Sequence, residues 1–482
     1  MTSDKSTRRR ALGLRSERGP VLAALMLSTG LIAIDATILA TAVPSVVAEF
    51  GQFEQFPWLF SVYLLAQAVS VPIYSKLSDT IGRKPIILMG IGLFLLGSIL
   101  AGVAWNMPSL IGFRVLQGLG AGAIAPMSMT IIGDIYTVEE RALVQGYVAS
   151  VWAVASVVGP ALGGVFSQFV SWRWIFVVNI PLCLIAAWAL VRSFHEVIEP
   201  RQHRIDVAGA ASLATGLTAL ILGLLEGGHA WAWLSWQSLA SFFVGVLALA
   251  VFVVVEQRAV EPVLDLSLLR RPLILATTLV SLGVGALMIG ITSFVPAYLQ
   301  NALGASPIVA GAAVAALTLG WPLSASFSGR VYLRRGFRTT VILGASIAFV
   351  GCVGLALVGP TPSVLAVAAV CFVIGFGLGW TAAPSLIAAQ AAVGWDERGV
   401  VTGLNVFARN AGSAIGVAFL GAIANQFISA GQGEHDYATI VTASTWVFRA
   451  VAVVAVLTLL AALRMPAGAV DAAAYAPEVK SA

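Results

Sequence analysis

The sequence predicts an all-α integral membrane protein with fourteen transmembrane helices, arranged as six, two and six, and with both termini in the cytoplasm. Three observations support this fold class. Of the 482 residues, 59% are hydrophobic and only 10% are charged, whereas a typical soluble domain is about a quarter charged. The apolar residues form long runs, the basic residues lie almost wholly on one side of them, and the two ends of the chain resemble each other.

A helix needs about 20 consecutive and mostly apolar residues to cross a bilayer. Fourteen runs in the sequence have this character, and a count of twelve spans is the nearest alternative. The runs cover residues 20–43, 57–75, 85–105, 108–132, 143–166, 174–192, 207–226, 237–256, 272–300, 306–328, 338–358, 362–388, 400–428 and 441–463.

The distribution of lysine and arginine orients these helices. With the N-terminus inside, 23 of the 27 basic residues fall in cytoplasmic segments, and only Arg173 falls in an outer loop. Arg114, Arg409 and Arg449 lie within helices. This asymmetry predicts an even number of spans, and it explains the net charge of +5 without a nucleic-acid partner.

An internal repeat relates the first six helices to the last six. Four matched pairs keep their order along the chain, with offsets that stay between 253 and 257 residues. They are SKLSDTIGRK (75–84) with GRVYLRRGFR (329–338), GLGAG (118–122) with GFGLG (375–379), Glu140–Arg141 with Glu397–Arg398, and Gly159 and Gly163 with Gly412 and Gly416. Many secondary transporters consist of such parallel repeats and bind substrate between them near the middle of the membrane.

The repeat defines the predicted domain organisation. A basic tail at 1–19 precedes a six-helix bundle at 20–192, a linker with two inserted helices at 193–271, a second six-helix bundle at 272–463 and a tail at 464–482. The two copies differ in their titratable residues, because Asp79 aligns with Leu333 and Arg114 aligns with Cys371. The titratable chemistry is therefore concentrated in the first copy.

Asp35 lies within the apolar run of the first predicted helix. An ionisable residue inside a membrane usually faces the bundle interior and has a partner. At 1.5 Å of rise per residue, Asp35 lies about 12 Å and Arg114 about 9 Å from the outer ends of their helices. We therefore expect Arg114 to be the partner of Asp35 in a proton-coupling site, with a fixed structural ion pair as the alternative.

Arg409 lies about 15 Å into the thirteenth predicted helix, near the middle of the membrane. Two interpretations are open. The side chain lines a substrate cavity beside Asn405 and Asn410 and meets an anionic group of the substrate, or its guanidinium binds backbone carbonyls in ordinary helix packing. Further candidates for the cavity are Tyr63, Gln67 and Trp152.

Several stretches resemble motifs of one transporter family. They are SKLSDTIGRK (75–84), similar to the loop motif between helices 2 and 3, LIGFRVLQGLGAG (110–122), similar to the helix-4 motif, ASVVGPALGG (155–164), similar to the antiporter motif of helix 5, and LIAIDATILATAVP (31–44) and WRWIFVVNIP (172–181). Over residues 20–463 the sequence thus resembles the major facilitator superfamily, and within it the fourteen-helix drug/proton antiporters of the EmrB/QacA type.

This resemblance implies the fold of that superfamily and a function. The expected protein is a multidrug efflux antiporter in the bacterial cytoplasmic (inner) membrane. It is expected to act as a monomer and to export lipophilic small molecules by alternating access, driven by the proton gradient. Its partners are then small substrates, protons and the lipid bilayer.

The resemblance also implies a conformational latch at the cytoplasmic ends of helices 2 and 3, which stabilises one access state. The residues expected to form it are Asp79, Gly82, Arg83, Lys84 and Arg141. Asp79 can form an ion cluster with Lys76, Arg83 and Lys84, and Gly82 suits a backbone position with positive φ. A solvated basic loop that only sets the topology is the alternative.

The antiporter motif of helix 5 contains Gly159, Pro160, Gly163 and Gly164. The proline removes a backbone hydrogen bond and favours a kink, while the glycines allow close helix contact. The resemblance implies that this helix packs against the other half and limits leakage. An ordinary kinked packing helix is the alternative.

Other function classes lack the sequence features that they need. There is no G-x-x-x-x-G-K-[ST] phosphate loop, so ATP is not the expected energy source, and no catalytic or metal-ligand motif predicts an enzyme, a cofactor or a metal. One alternative is a dedicated exporter of an endogenous product such as an antibiotic, a lipid or a siderophore. Others are an uptake symporter and, from a different class, a non-transporting membrane receptor or scaffold.

Overall fold

The computed structural model describes residues 13–14, 16–50, 56–196, 206–227, 231–259, 262, 264–305, 307–357, 363–430 and 437–467. This part of the chain contains fourteen α-helices of seven or more residues, and each predicted spanning run overlaps one of them. They are α1 (Gly19–Phe50), α2 (Phe56–Ile81), α3 (Arg83–Gly102), α4 (Met107–Ile135), α5 (Val138–Val165), α6 (Asn179–Ser193), α7 (Val207–Glu226), α8 (Trp236–Arg258), α9 (Pro272–Leu303), α10 (Pro307–Arg335), α11 (Phe337–Ala356), α12 (Val364–Ala391), α13 (Trp395–Ala430) and α14 (Tyr437–Leu463).

Eleven helical segments of the described residues are long and apolar enough to cross a membrane. The other three long helices are α5, α7 and α13. Within α5 and α7 the described residues include two shorter apolar stretches, Val144–Ala155 and Ala208–Leu224. The all-helical membrane fold is confirmed, while the count of fourteen spans and the cytoplasmic position of the termini stay predictions.

Side-chain caps fix where two helices of the first copy begin. At α4 the Asn106 side chain accepts a hydrogen bond from the Ser109 backbone N–H at 2.8 Å, and the Ser109 hydroxyl accepts one from the Asn106 N–H at 3.2 Å. At α5 Thr137 and Glu140 form the same reciprocal pair. These capping boxes satisfy N–H groups that the first helical turn leaves without partners.

Gly82 and Gly336 are equivalent positions of the repeat, and both have a positive φ, of 97° and 82°. They immediately precede α3 and α11. Residues with a Cβ rarely adopt this conformation. The prediction of a positive φ at Gly82 is confirmed, and its equivalent in the second copy has the same backbone turn.

The described chain forms two compact units. The first contains α1 to α6 together with Val393–Gly403, and the second contains α7 to α12, the rest of α13, and α14. In the first unit α4 packs against α2 and α3, and α1 packs against α5 and α6. In the second unit α12 packs against α10 and α11, which repeats the arrangement around α4, while α7 packs against α8.

The apolar core of the first unit consists of two buried clusters, and each cluster contains a different part of α1. Leu31 and Ile32 belong to one buried cluster, and Ile38 and Leu39 belong to another. Asp35 lies between these pairs and is itself buried. The two clusters therefore exclude solvent on both sides of this carboxyl group.

We expect Gly336→Ala to destabilise the protein by about 1 to 3 kcal/mol, because alanine is strained at this backbone conformation. A Cβ built on Gly336 meets no atom within 4 Å, so the effect comes from the backbone alone. Gly311→Ala is the matched control, since a Cβ there also meets nothing and the residue lies inside α10. Unfolding by SDS titration measures both, and equal stability of the two variants would contradict this explanation.

Candidate functional site

The structure brings Asp35 and Arg114 together inside the first unit. Arg114 Nη1 donates a hydrogen bond to Asp35 Oδ2 at 2.6 Å. Each residue is only 1% exposed. The pair connects α1 to α4, and Asp35 lies on α1 between the residues of the two buried apolar clusters.

Three more polar side chains complete what we call the Asp35 network, which consists of Asp35, Arg114, Gln117, Ser98 and Asn179. Gln117, one turn after Arg114 on α4, accepts a hydrogen bond from Arg114 Nη1 at 3.0 Å. Its amide nitrogen donates to Ser98 Oγ of α3 at 2.8 Å and to Asp35 Oδ1 at 3.4 Å. Asn179 Nδ2, at the start of α6, donates to Asp35 Oδ1 at 3.2 Å.

The network gives Asp35 a polar environment within an apolar core. Both carboxylate oxygens accept hydrogen bonds, one from the guanidinium and one from two amides. A buried ion pair is tolerated only when such bonds satisfy its remaining polar atoms. The arrangement suits the ionised form of Asp35, and it depends on side chains from four helices.

Arg114 has partners besides Asp35. Its Nε donates to the carbonyl of Leu59 on α2 at 3.1 Å, and its guanidinium carbon lies 4.2 Å from the centre of the Tyr63 ring. A guanidinium over an aromatic ring is stabilised by the negative face of the ring. Arg114 can thus keep several contacts when the charge on Asp35 changes.

The predicted cavity residues of the first copy separate in the structure. Tyr63 belongs to the surroundings of Arg114, as described above. Gln67 lies one turn further along α2 and is buried. Trp152 on α5 is 41% exposed. No observation groups these three into one cavity.

The residues predicted to form a latch have partners that the sequence did not identify. Arg83 is buried, and its Nε donates to Asp134 Oδ2 at the end of α4 at 3.1 Å. Its Nη1 donates to the carbonyl of Ser78 at 3.1 Å. The predicted cluster was centred on Asp79, whose side chain lies outside the described part of the structure. The described acid of this cluster is Asp134.

Lys84 connects the start of α3 to the end of α6. Its Nζ donates to the carbonyls of Val191, at 3.0 Å, and Phe194. The carboxylate of Glu196 accepts hydrogen bonds from the backbone N–H groups of Arg83 and Lys84 at 3.0 and 2.9 Å. The first turn of α3 is therefore capped by an acid from the segment after α6.

Two arginines that the repeat relates to each other meet at the end of α4. Arg141 donates to the carbonyls of Tyr136, at 3.0 Å, and Gly133. Arg398 donates to the same carbonyl of Gly133 at 3.1 Å and to Asp134 Oδ1 at 3.2 Å. Asp134 thus binds Arg83 with one oxygen and Arg398 with the other.

The antiporter motif contacts the helix that carries Asp35. Thr37 Oγ1, on α1, donates to the carbonyl of Ala155 at 3.0 Å. A Cβ on Gly159 would overlap the Thr37 side chain, so the glycine is needed for this approach. The sequence predicted packing against the other half, whereas the described contact of Gly159 is with α1 of the same unit.

The remaining positions of the motif differ from one another. Gly163 is buried. No described atom lies within 4 Å of a Cβ built on Gly164, so close helix contact does not explain this glycine. The side chain of Pro160 lies outside the described residues.

Two of the three polar residues predicted on α13 share a small cavity in the second unit. Ser281, Asn405 and Arg409 line it together with apolar side chains. Ser281 Oγ donates to Asn405 Oδ1 at 2.7 Å. Asn410 does not line this cavity, and its buried Nδ2 has no hydrogen-bond acceptor in the part of the chain that the structure describes. Among the described residues no group of three His, Cys, Asp or Glu side chains could hold a metal ion.

The profile of the Major Facilitator Superfamily matches residues 25–417. The chain belongs to the Major Facilitator Superfamily. This superfamily member is 32% identical over 413 residues to the multidrug transporter protein MdtP of Bacillus subtilis, an alignment that covers 86% of this chain and 76% of that protein. It is also 32% identical over 295 residues to the Acurin A biosynthesis cluster MFS-type transporter of Aspergillus aculeatus, covering 60% of this chain and 53% of that protein.

The fold has a counterpart among solved structures. The crystal structure of the human organic anion transporter MFSD10 (TETRAN) has a TM-score of 0.63 to this chain and covers 91% of it and 99% of that chain. The two sequences are 14% identical. At this identity the likeness shows a shared superfamily fold and carries no information about the substrate.

We expect Arg114→Gln to destabilise the protein by about 3 to 5 kcal/mol, because it leaves the Asp35 carboxylate buried without its cation. The double variant Asp35→Asn/Arg114→Gln should lose less stability than the sum of the two single variants, since the single changes remove the same contact. SDS unfolding of all four proteins measures this coupling. Additive losses would show that the 2.6 Å contact contributes little.

Proposed function

We propose that this superfamily member is a proton-driven efflux antiporter that exports lipophilic small molecules by alternating access. We place it in the fourteen-helix drug/proton antiporter branch and in a bacterial cytoplasmic membrane. The observation that carries the proposal is the buried Asp35–Arg114 pair with its three polar neighbours. Superfamily membership and the transporter names of the relatives support export of small molecules.

The Asp35 network is suited to binding and releasing one proton. With Asp35 ionised, its oxygens accept hydrogen bonds from Arg114, Gln117 and Asn179. With Asp35 protonated, the carboxyl group becomes a donor, and Arg114 retains the Leu59 carbonyl and the Tyr63 ring. Burial disfavours the carboxylate and the cation favours it, so a small rearrangement of the network changes the proton affinity.

Coupling follows if the two access states differ in this network. Asp35 takes up a proton from the outer side, and this step accompanies release of the substrate there. In the inward-open state the ion pair forms again, and the proton leaves to the cytoplasm. A ligand drives such a transition only through its different affinity for the two states, and the proton supplies this difference here.

The cluster around Asp134 is the proposed latch. Asp134 holds Arg83 at the start of α3 and Arg398 near the start of α13. In the second copy of the repeat the positions of Arg83 and Asp134 are occupied by Phe337 and Ala391, so the acid exists once. Breaking these charge-assisted bonds would release the segment Val393–Gly403 and allow one access state to convert to the other.

A second candidate function is export of one endogenous product. The similarity to a transporter named for the Acurin A biosynthesis cluster favours it. Both candidates use the same proton site and differ only in the breadth of substrates. Export of a single compound from a broad panel, together with biosynthetic genes beside the gene of this protein, would support the dedicated exporter.

We expect Asp35→Asn to abolish substrate-dependent proton flux in proteoliposomes, because the amide cannot exchange a proton. Glu49→Gln is the matched control, since Glu49 is an exposed acid on the same helix and pairs with Arg173 at 2.8 Å. A pH-sensitive dye inside the vesicles reports the flux, and size-exclusion chromatography verifies folding. Normal coupling in folded Asp35→Asn protein would refute the proton role of this residue.

We expect Asp134→Asn and Arg398→Gln to shift the equilibrium between access states in the same direction, because both remove the same 3.2 Å contact. A tenfold shift would correspond to about 1.4 kcal/mol. Distances between spin labels in lipid nanodiscs measure the populations. Arg338→Gln, which changes the repeat equivalent of Lys84, is the control, and unchanged populations in both test variants would rule out the latch.

A further inference from the structure

We propose that Arg409 binds an anionic group of the transported substrate, so that this exporter prefers lipophilic organic anions, carboxylates above all, to cations. The proposal rests on the export function proposed above and names its substrate class. It is carried by the surroundings of Arg409 in the second unit. Arg114 is paired with a buried carboxylate, whereas no described carboxylate is paired with Arg409.

Arg409 has no counter-charge within the described ranges of the chain. Among the described residues, no carboxylate and no carbonyl accepts a hydrogen bond from its guanidinium. Arg114, in contrast, has Asp35 at 2.6 Å. The alternative that the guanidinium of Arg409 binds backbone carbonyls in helix packing is therefore not what the structure shows.

The second copy of the repeat contains no acid that could take this role at the same depth. Between residues 272 and 463 the acidic residues are Asp396, Glu397, Glu434 and Asp436. The first two lie at the start of α13, about 18 Å or more from Arg409 by helical rise, and the last two follow Gly433 between α13 and α14. A cation within a membrane bundle needs a partner. The second copy of the repeat therefore supplies no partner at this depth from its own helices.

The cavity beside Arg409 provides a place for such a partner. Its volume is about 20 Å³, which holds one water-sized group such as an oxygen of a carboxylate. Ser281 and Asn405 form its polar wall, and Val284, Leu386 and Val406 form an apolar wall. A ligand with a charged oxygen on an apolar body matches both walls.

The guanidinium of Arg409 favours a negatively charged ligand. A guanidinium has five N–H donors and no acceptor, and its planar fork matches a carboxylate. An organic cation would meet repulsion here, whereas an anion would neutralise a partly desolvated charge.

The test uses three compounds with one ring system and different charges, namely 2-naphthoate, 2-naphthamide and 2-naphthylmethylammonium. Export by the full-length protein is measured in proteoliposomes by mass spectrometry. Wild type should export naphthoate fastest. Arg409→Gln should reduce export of naphthoate at least tenfold and change that of naphthamide less than twofold, while Arg409→Lys should retain part of the naphthoate activity.

Arg449→Gln is the matched control. Arg449 is the arginine of α14, it does not line the cavity, and its guanidinium lies 4.8 Å from the centre of the Trp446 ring. This variant should leave all three rates within twofold of wild type. An equal loss for all three compounds in Arg409→Gln would overturn the proposal, because it would show a structural role, and so would a wild-type preference for the cation.

A binding measurement separates failure of this proposal from failure of the export function. Thermal unfolding of the purified protein is followed with naphthoate, naphthamide or sodium chloride. Stabilisation by naphthoate that is lost in Arg409→Gln supports the anion site even if no compound is exported, in which case only the export function fails. Equal stabilisation by naphthamide, or stabilisation by chloride alone, would overturn the assignment of the substrate class.

Discussion

The buried ion pair between Asp35 and Arg114 sets conditions that the rest of the first unit meets. Two charges removed from water are costly unless their other polar atoms are satisfied. Gln117, Ser98 and Asn179 supply these contacts from three helices. Each of those helices must therefore keep a fixed orientation about its axis, so that its polar side chain faces the ion pair. The capping box at Asn106 fixes the start of α4 and helps to define the position of Arg114.

The repeat explains why one fold contains two different charged sites. Both copies keep the backbone features, such as the positive φ at Gly82 and Gly336 and the packing of a fourth helix against the second and third. The charges have diverged. The first unit pairs its membrane arginine with an acid, and the second leaves Arg409 beside a cavity without one. The proposed proton site and the proposed substrate site therefore lie on separate copies of the repeat.

Much of this could be predicted from the sequence, because hydrophobic length and charge asymmetry are properties of the chain itself. The apolar runs predicted the fourteen long helices of the described residues, and depth along the helices identified Arg114 as the partner of Asp35. The roles of Gln117 and Asn179 were missed although both lie in the quoted motifs, and Asp134 was missed altogether. When a helix is apolar around its whole circumference, its sequence pattern does not indicate which face packs against the other helices. The partners of its few polar side chains can then be identified only from the packed structure.

The central claim is that Asp35 holds the proton that the substrate displaces. The most direct measurement is proton release from the purified protein in weakly buffered detergent solution when substrate is added, followed with a pH indicator. The account predicts release of about one proton or less per protein, falling to none in Asp35→Asn while substrate binding persists. The same release from wild type and Asp35→Asn would contradict it.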